Sequence, residues 1–363
     1  MKQTNALAYL RQLCCLKLDK EIVIAEFLRA VRMIIPSDSN IFTGCDAQLN
    51  PIYAILEHTT PKLDFLIPDI LPDFFNWDRR LRFTLWFSEH PISTEAALLD
   101  QQYSHTDLYN LLWFQNDRYH SVKSPVLVDG LPAGKLCLFR SRSQKPFTDS
   151  EQALCSRLTP YLAHALQARN GDEIPYCDNG VSGMLIMDAK GAVLHLSETA
   201  RCILALTRQP TLSVNDRNNE SASMPTLAEL CLKLEAIFQG EDSDPHCWTF
   251  TNGLGRFNFR AYRLDKQNPE PGGLIGLTIE HQEPLPLKIL RAMQHLPLSP
   301  TQKEVALLVA QGVSSEKIGE RLHIKPTTVK DHVGKIFTKL DIHHRDELLP
   351  KLLALESSHA APH

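Results

Sequence analysis

The chain carries two kinds of hydrophobic pattern. Up to about residue 283 the apolar positions form short blocks separated by turn residues, and beyond it they recur every three or four positions. Residues 39 to 57, SNIFTGCDAQLNPIYAILE, read as two short strands around a polar turn. In PVLVDGLPAGKLCLFRS, 125 to 141, two apolar runs flank Asp129-Gly130, a pair that accepts the positive φ of a hairpin turn. TDSEQALCSRLTPYLAHALQAR then sets Thr148 and Glu151 at capping-box spacing, with Leu154, Leu158, Tyr161, Leu162 and Ala165 on one helical face. The first residues, MKQTNALAYLRQLCCLKLDKE, are interrupted by Arg11, Lys17 and Asp19, which fits an amphipathic helix better than an export signal.

NGDEIPYCDNG, 170 to 180, is polar and holds a proline, so it reads as a linker. GMLIMDAKGAVLHLSETARCIL, 183 to 204, follows as a strand, an Ala189-Lys190-Gly191 turn, a second strand and a helix that Ser197 can cap. The segments 246 to 264 and 272 to 282 supply later strands, with helix-like LAELCLKLEAIF between the two groups. RQPTLSVNDRNNESASMPT, 208 to 226, is too polar to bury a core and reads as a mobile insert. Leu287, Leu290 and Met293 lie between proline-containing ends and predict a short linker helix.

The pattern changes at LPLSPTQKEVALLVAQG. Ser299, Pro300 and Gln302 mark a helix start, Val305, Leu308 and Val309 form its buried face, and Gly312 ends it. Ser314 opens a second helix anchored by Ile318 and Leu322, in which Gly319 permits close approach of its neighbour. A third begins at Pro326, with Val329, Val333, Ile336, Phe337 and Leu340 at helical spacing. Thr328, Asp331, Lys335 and Lys339 then point away from that stripe, and Lys330 and His332 flank it. Two short helices supporting a third with a basic free face is the helix-turn-helix arrangement.

A chain of 363 residues exceeds one typical core and predicts two or three domains. The net charge of −4 excludes a general polyanion binder, yet between Lys325 and Lys339 four lysines face one acid, Asp331. No apolar run reaches a membrane span, so no membrane partner is expected. The nine cysteines are scattered without a C-x-x-C pair, which argues against zinc or a disulfide framework and for reduced thiols in a cytoplasm. No phosphate loop, G-x-S-x-G or H-E-x-x-H occurs, so neither an enzyme nor a metal or cofactor is expected. His343-His344 reads as a helix start. Trp77, Trp86, Trp113, Phe114 and Tyr119 are candidates for a ligand pocket or for core, and His195 is a remote candidate haem contact.

Over about sixty residues without a gap, the run from Leu298 resembles the DNA-binding domain of LuxR-type (GerE-like) transcription regulators. Glu304, Gly312, Ile318, Thr328, Val329, Lys330, His332, Lys339, Leu340 and Arg345 fall on that family's pattern. The resemblance implies that Thr327, Thr328, Val329, Lys330, His332, Lys335 and Lys339 contact DNA. It implies that Val305, Leu308, Ile318, Leu322, Val333 and Ile336 hold the helices together, with Glu304 also structural. Two positions depart from the pattern: Lys325 stands where a Ser or Thr cap is usual, and Pro350 lies inside HRDELLPKLLALE, the expected protomer-pairing fourth helix, which predicts a kink or stop near Leu349. The hairpin with "PFTDSE" resembles the end of a GAF-type sensory domain, and residues 183 to 204 resemble the opening of a PAS domain.

The expected fold class is therefore an α+β multidomain protein. It comprises a GAF-like α/β sensor at 1–170, a PAS-like α/β sensor at 178–283, a linker helix at 284–297 and an all-α four-helix helix-turn-helix domain at 298–355. The expected partners are double-stranded DNA, a second copy of the chain, a small-molecule effector and RNA polymerase. Alternatives are a constitutive binder controlled by protein contacts, and a haem or redox sensor.

Overall fold

The computed structural model describes residues 2–46, 51–57, 93–94, 117–167, 174–178, 180–188, 191–207, 211–213, 229, 247–264 and 274–359. The chain divides into two compact units. One consists of Met1–Lys17, Asn170–Cys177 and Glu283–His363, and the other of Leu18–Arg169 and Asp178–Gln282. In chain order the elements are α1 (Lys2–Cys14), α2 (Lys20–Ala30), β1 (Ser39–Cys45), β2 (Pro51–Leu56), β3 (Ser93–Thr94), β4 (His120–Val128), β5 (Leu131–Arg140) and α3 (Asp149–Gln167). Next come β6 (Val181–Asp188), β7 (Val193–Leu196), α4 (Glu198–Thr207), β8 (Thr211–Ser213), β9 (Cys247–Asn252), β10 (Gly255–Leu264) and β11 (Leu274–Gln282). The remainder is helical: α5 (Leu285–Ala292), α6 (Pro300–Ala310), α7 (Ser315–Leu322), α8 (Pro326–Leu340) and α9 (Leu348–His359). Apart from Glu229, the helix expected at 227–238 lies outside the described residues, as do Trp77, Trp86, Trp113 and Phe114.

The larger unit holds two antiparallel sheets. The first has the order β3-β4-β5-β1-β2-β8. Its β4-β5 hairpin turns at Asp129 (φ 51°) and Gly130 (φ 79°), the paired positive φ values that a two-residue turn of this type requires. Helix α3 starts with the expected capping box: Glu151 N–H donates to Thr148 Oγ1 (3.3 Å), and Thr148 N–H donates to Glu151 Oε2 (2.8 Å). One sheet face packs on α2 and α3. Phe42, Ile55, Val122, Val126, Leu136 and Leu138 are buried there, Ser124 Oγ meets Ser156 Oγ of α3 at 3.2 Å, and Asn40 Nδ2 donates to the Leu28 carbonyl of α2.

β8 corrects one expectation. Thr211–Ser213, assigned from composition to a mobile insert, pairs antiparallel with β2 through Ile55↔Thr211, Ala54↔Leu212 and Tyr53↔Ser213. A strand this short draws its order from the backbone groups of the edge that it covers, which local polarity does not report.

The second sheet has the order β7-β6-β11-β10-β9. Its core is Leu185, Met187, Phe257, Phe259, Ala261, Ile275, Leu277 and Ile279, joined by Ala200 and Ile203 of α4. Ser197 caps α4 as expected, its Oγ accepting from Ala200 N–H at 3.2 Å.

The smaller unit is assembled from three stretches of chain. Residues 1–17 were expected in the first domain and 170–180 in a linker. Instead α1 packs against α5 and α6, with Leu10 and Leu13 fully buried, while Arg11 pairs with Glu304 at 3.0 Å and Gln12 donates to the Pro300 carbonyl. Tyr176 bridges Pro284, Leu285 N–H donates to the Pro175 carbonyl at 2.8 Å, and Cys177 N–H donates to the Glu283 carbonyl at 3.1 Å. The predicted linker helix is core rather than connector: Leu287, Ile289, Leu290 and Met293 are all buried, and α5 packs along α9. Each such side chain stabilises the unit by about 1.5–3 kcal/mol of burial.

Candidate nucleic-acid interface

Three helices build the site, the first two of them capped by serine. Ser299 Oγ accepts from Gln302 N–H at 3.3 Å, and Gln302 Oε1 accepts from Ser299 N–H at 3.0 Å, so α6 begins with a complete capping box and Pro300 at its first position. Ser314 caps α7, its Oγ accepting from Lys317 N–H at 3.4 Å. α7 ends on His323 in the left-handed region (φ 53°), which turns the chain sharply into α8. A Cβ on Gly319 would lie 2.7 Å from the Ile324 carbonyl oxygen, so glycine is what lets this turn close. Arg345 donates to the Val313 carbonyl and ties the start of the last segment to the α6–α7 turn.

The expected core separates into two grades. Val305, Ile318 and Ile336 are fully buried, and Leu308, Leu322 and Val333 are half-buried at its margin. Of the residues assigned to DNA by resemblance, Thr327, Lys330 and Lys335 are exposed on α8, while Thr328 and His332 are half-buried. His332 Nδ1 is shut from solvent with no hydrogen-bond partner among the described residues.

Two assigned residues also have contacts within the fold. Val329 is fully buried and packs the core. Lys339 is exposed, and its ammonium donates to the Pro297 carbonyl (2.7 Å) and to Gln302 Oε1 (2.9 Å), the same oxygen that completes the α6 capping box. It ties the end of α8 to the start of α6, a contact across 42 residues that spacing does not reveal. Glu304 is structural as expected, though its partner is Arg11 of α1.

Around the free face, the carboxyl of Glu316 is held below its usual range by its own backbone N–H and the Ser314 hydroxyl, then by Lys330 and Arg345. Lys330 therefore has an acid near its base, while Lys335 extends the positive surface along α8.

Lys325 precedes α8 with cap-like backbone angles (φ −68°, ψ 145°) but no side-chain cap bond. A Lys325→Ser substitution is expected to supply that acceptor and stabilise the unit by about 1 kcal/mol; a urea midpoint no higher than the parent's would refute it. Pro350 does not break its helix. α9 starts at Leu348 after a 3-10 turn, so Pro350 is its third residue, where the first-turn N–H groups have no intrahelical acceptor, and the helix continues to His359.

The remaining candidates contribute little to a site. Tyr119 is exposed, edge-on to His120, with Arg142 over its ring at 5.4 Å. His195 is exposed on β7 among the described residues, whereas haem ligation needs an enclosing apolar pocket. Burial pushes the Cys14 thiol far above its ordinary range and raises Cys15 as well, which opposes the thiolate that a redox sensor requires. His344 precedes the 3-10 turn Arg345–Glu347, and both His343 and His344 are exposed. Among the described residues no group of three or more His, Cys, Asp and Glu is placed to hold a metal ion. No described helix is long and apolar enough to cross a membrane.

Capped short helices, a left-handed turn and a third helix with a hydroxyl- and lysine-bearing free face define a helix-turn-helix domain. Residues 296–351 match the family of bacterial regulatory proteins of the luxR type (GerE) and belong to it. The chain is 38% identical over 56 residues to the transcriptional regulatory protein LiaR of Bacillus subtilis, covering 15% of this chain and 26% of that protein. It is 36% identical over 52 residues to an HTH-type transcriptional regulator of Mycobacterium bovis, covering 14% of this chain and 6% of the relative. The chain thus spans only a small part of the length of the curated relatives it matches. Among solved structures, a GAF domain/HD domain protein from Geobacter sulfurreducens aligns with a TM-score of 0.30 at 17% identity, over 43% of this chain and 98% of that one.

Proposed function

We propose that this protein is a sequence-specific DNA-binding transcriptional regulator in the cytoplasm, controlled by a signal received in its larger unit. The observation that carries this reading is the division of α8 into a buried stripe (Val329, Ile336, Leu340) and a free face of Thr327, Thr328, Lys330 and Lys335, inside a domain of the luxR family. Threonine hydroxyls suit base edges and lysines suit phosphates, so one helix face supplies both readout and counterion release. Selection of full-length protein against a random duplex pool at fixed salt tests it: an enriched motif supports the reading, and uniform weak retention of all sequences sinks it.

The first sheet, with α2 and α3 on one face, supports a GAF-like module, and the order β7-β6-β11-β10-β9 with α4 on one face supports a PAS-like module. Both are read as receivers of a small effector, and RNA polymerase as a partner at the promoter. One helix-turn-helix reads few base pairs, so two protomers on half-sites about one helical turn apart are expected. Analytical ultracentrifugation should then show two chains per selected duplex, and a saturated one-to-one complex would overturn the homodimer.

A further inference from the structure

The second face of the first sheet is buried but not apolar. In antiparallel pairs, directly opposed residues share a face and neighbours alternate. The register opposes Thr43 to Lys135, Ile41 to Cys137 and Ser39 to Phe139 across β1 and β5, and Lys123 to Cys137 and Ser121 to Phe139 across β4 and β5. All of these therefore lie on the face away from α2 and α3. Arg118 joins them, its Nε donating to Ser39 Oγ at 2.8 Å and its guanidinium 5.6 Å from the Phe139 ring centroid.

Burial makes this face unusual. Arg118 is 6% exposed, Lys123 and Lys135 8% each, Ser121 3% and Thr43 1%. Cations this deep are rare on a face that serves only packing. The four strands β1, β2, β4 and β5 contain no acidic residue, and the nearest acid that acts on Arg118 is buried Glu57, directly after β2, which also pairs with Arg32. The three cations have further contacts within the fold; what sets the face apart is their gathering beside two buried hydroxyls, Ser121 Oγ and Thr43 Oγ1, that have no hydrogen-bond partner among the described residues. Unsatisfied buried hydroxyls are uncommon enough to call for a cause, and two of them share this face with the cations.

We propose that this face binds an elongated organic anion, carrying carboxylate or phosphate, as the effector of the larger unit. The cluster runs diagonally from Arg118 and Ser121 through Lys123 to Lys135 and Thr43. Four residues separate its ends along β5, about 13 Å of strand, which suits an extended ligand better than a single inorganic ion. Phe139 and Ile41 on the same face offer apolar contact to its body. Burial also lowers the Arg118 pKa to about 10, and the same low-dielectric surroundings strengthen its attraction for an added negative charge. The proposal deepens the effector reading above and rests on it.

Thermal unfolding of the full chain tests it, with octanoate, adipate, inorganic phosphate and glycerol phosphate as probes and hexanediol as the uncharged control. At least one organic anion should raise Tm saturably, by about 5 °C at a hundredfold excess over Kd, while hexanediol does not. A rise with the carboxylates alone assigns the group as carboxylate, and one with glycerol phosphate alone assigns phosphate. Because neither hydroxyl has a hydrogen-bond partner among the described residues, Ser121→Ala and Thr43→Val should leave the unliganded Tm unchanged or higher and still reduce the anion's shift. No shift with any organic anion, a rise with inorganic phosphate alone, or an undiminished shift in both variants overturns the proposal, and Lys135→Gln repeats the test on a cation. DNA selection on the same preparations separates the two readings. A selected motif without an anion shift removes this site alone, and an anion shift without DNA selection removes the regulator and leaves the site.

Discussion

A Thr328→Ala, Lys330→Ala double variant is expected to fold normally, to stay weakly bound to DNA and to lose selection of any motif. Both residues lie in the first two turns of α8 on or beside its free face, and neither contributes to the buried stripe. Each base-edge or phosphate contact removed should weaken binding by about 1–3 kcal/mol, so the specific complex loses at least roughly tenfold. Lys335→Ala makes a different prediction from the same helix. An exposed lysine that meets only phosphate leaves the motif intact and lowers the slope of log affinity against log salt by about one. Lys339→Met should instead lower Tm, because it removes the bonds to the Pro297 carbonyl and Gln302. Salt titrations beside thermal melts distinguish the three. Retention of the parent motif by the double variant would move the reading surface elsewhere.

These separate outcomes follow from what the sequence makes visible. Local devices were legible because their partners lie within four residues: the Asp129-Gly130 turn, the Thr148–Glu151 and Ser299–Gln302 boxes, and the Ser197 and Ser314 caps all form where spacing puts them. At Val329 two arguments conflicted, since helical periodicity places it in the stripe and the family pattern places it at the groove. Its burial sides with periodicity. What stayed hidden is long-range. Nothing in Arg11 or Leu10 announces a partner near residue 300, and nothing in Leu287 distinguishes a linker helix from a core helix until α9 and α1 cover it. Lys339 looks like any surface lysine because a carbonyl acceptor 42 residues away leaves no mark on composition. Pro350 was misjudged by position: a proline harmful in a helix interior is tolerated once the helix starts two residues before it.

In the larger unit, the largest loss of stability is expected from Arg140→Met. Arg140 closes the β5 end of the first sheet onto α3 and is 6% exposed. Its Nε donates to the Pro36 carbonyl at 2.8 Å, Nη1 donates to the Lys145 and Pro146 carbonyls, and Nη1 and Nη2 grip both oxygens of Glu151 at 3.3 and 2.6 Å. The guanidinium also lies 4.0 Å from the Phe147 ring centroid. Methionine fills much of the volume but leaves Glu151 without its cation and three carbonyls without their donor, a loss of about 3–5 kcal/mol for a partly buried pair. The pH response gives an independent check. The hydrogen bond from Arg140, with those from the Thr148 amide and hydroxyl, holds the Glu151 carboxyl below its ordinary value against the opposing effect of burial. A depressed folded-state pKa means that this stabilisation is complete above the unfolded carboxyl value and disappears as pH falls through the folded one. The parent should therefore lose stability on acidification more steeply than Arg140→Met, and the gap between them should narrow in acid. Urea melts at neutral pH and on the acid side of the carboxylate range would show it. An equal gap at both would mean that Arg140 acts through its carbonyl contacts alone, and that the Thr148–Glu151 box holds α3 to the sheet without the ion pair.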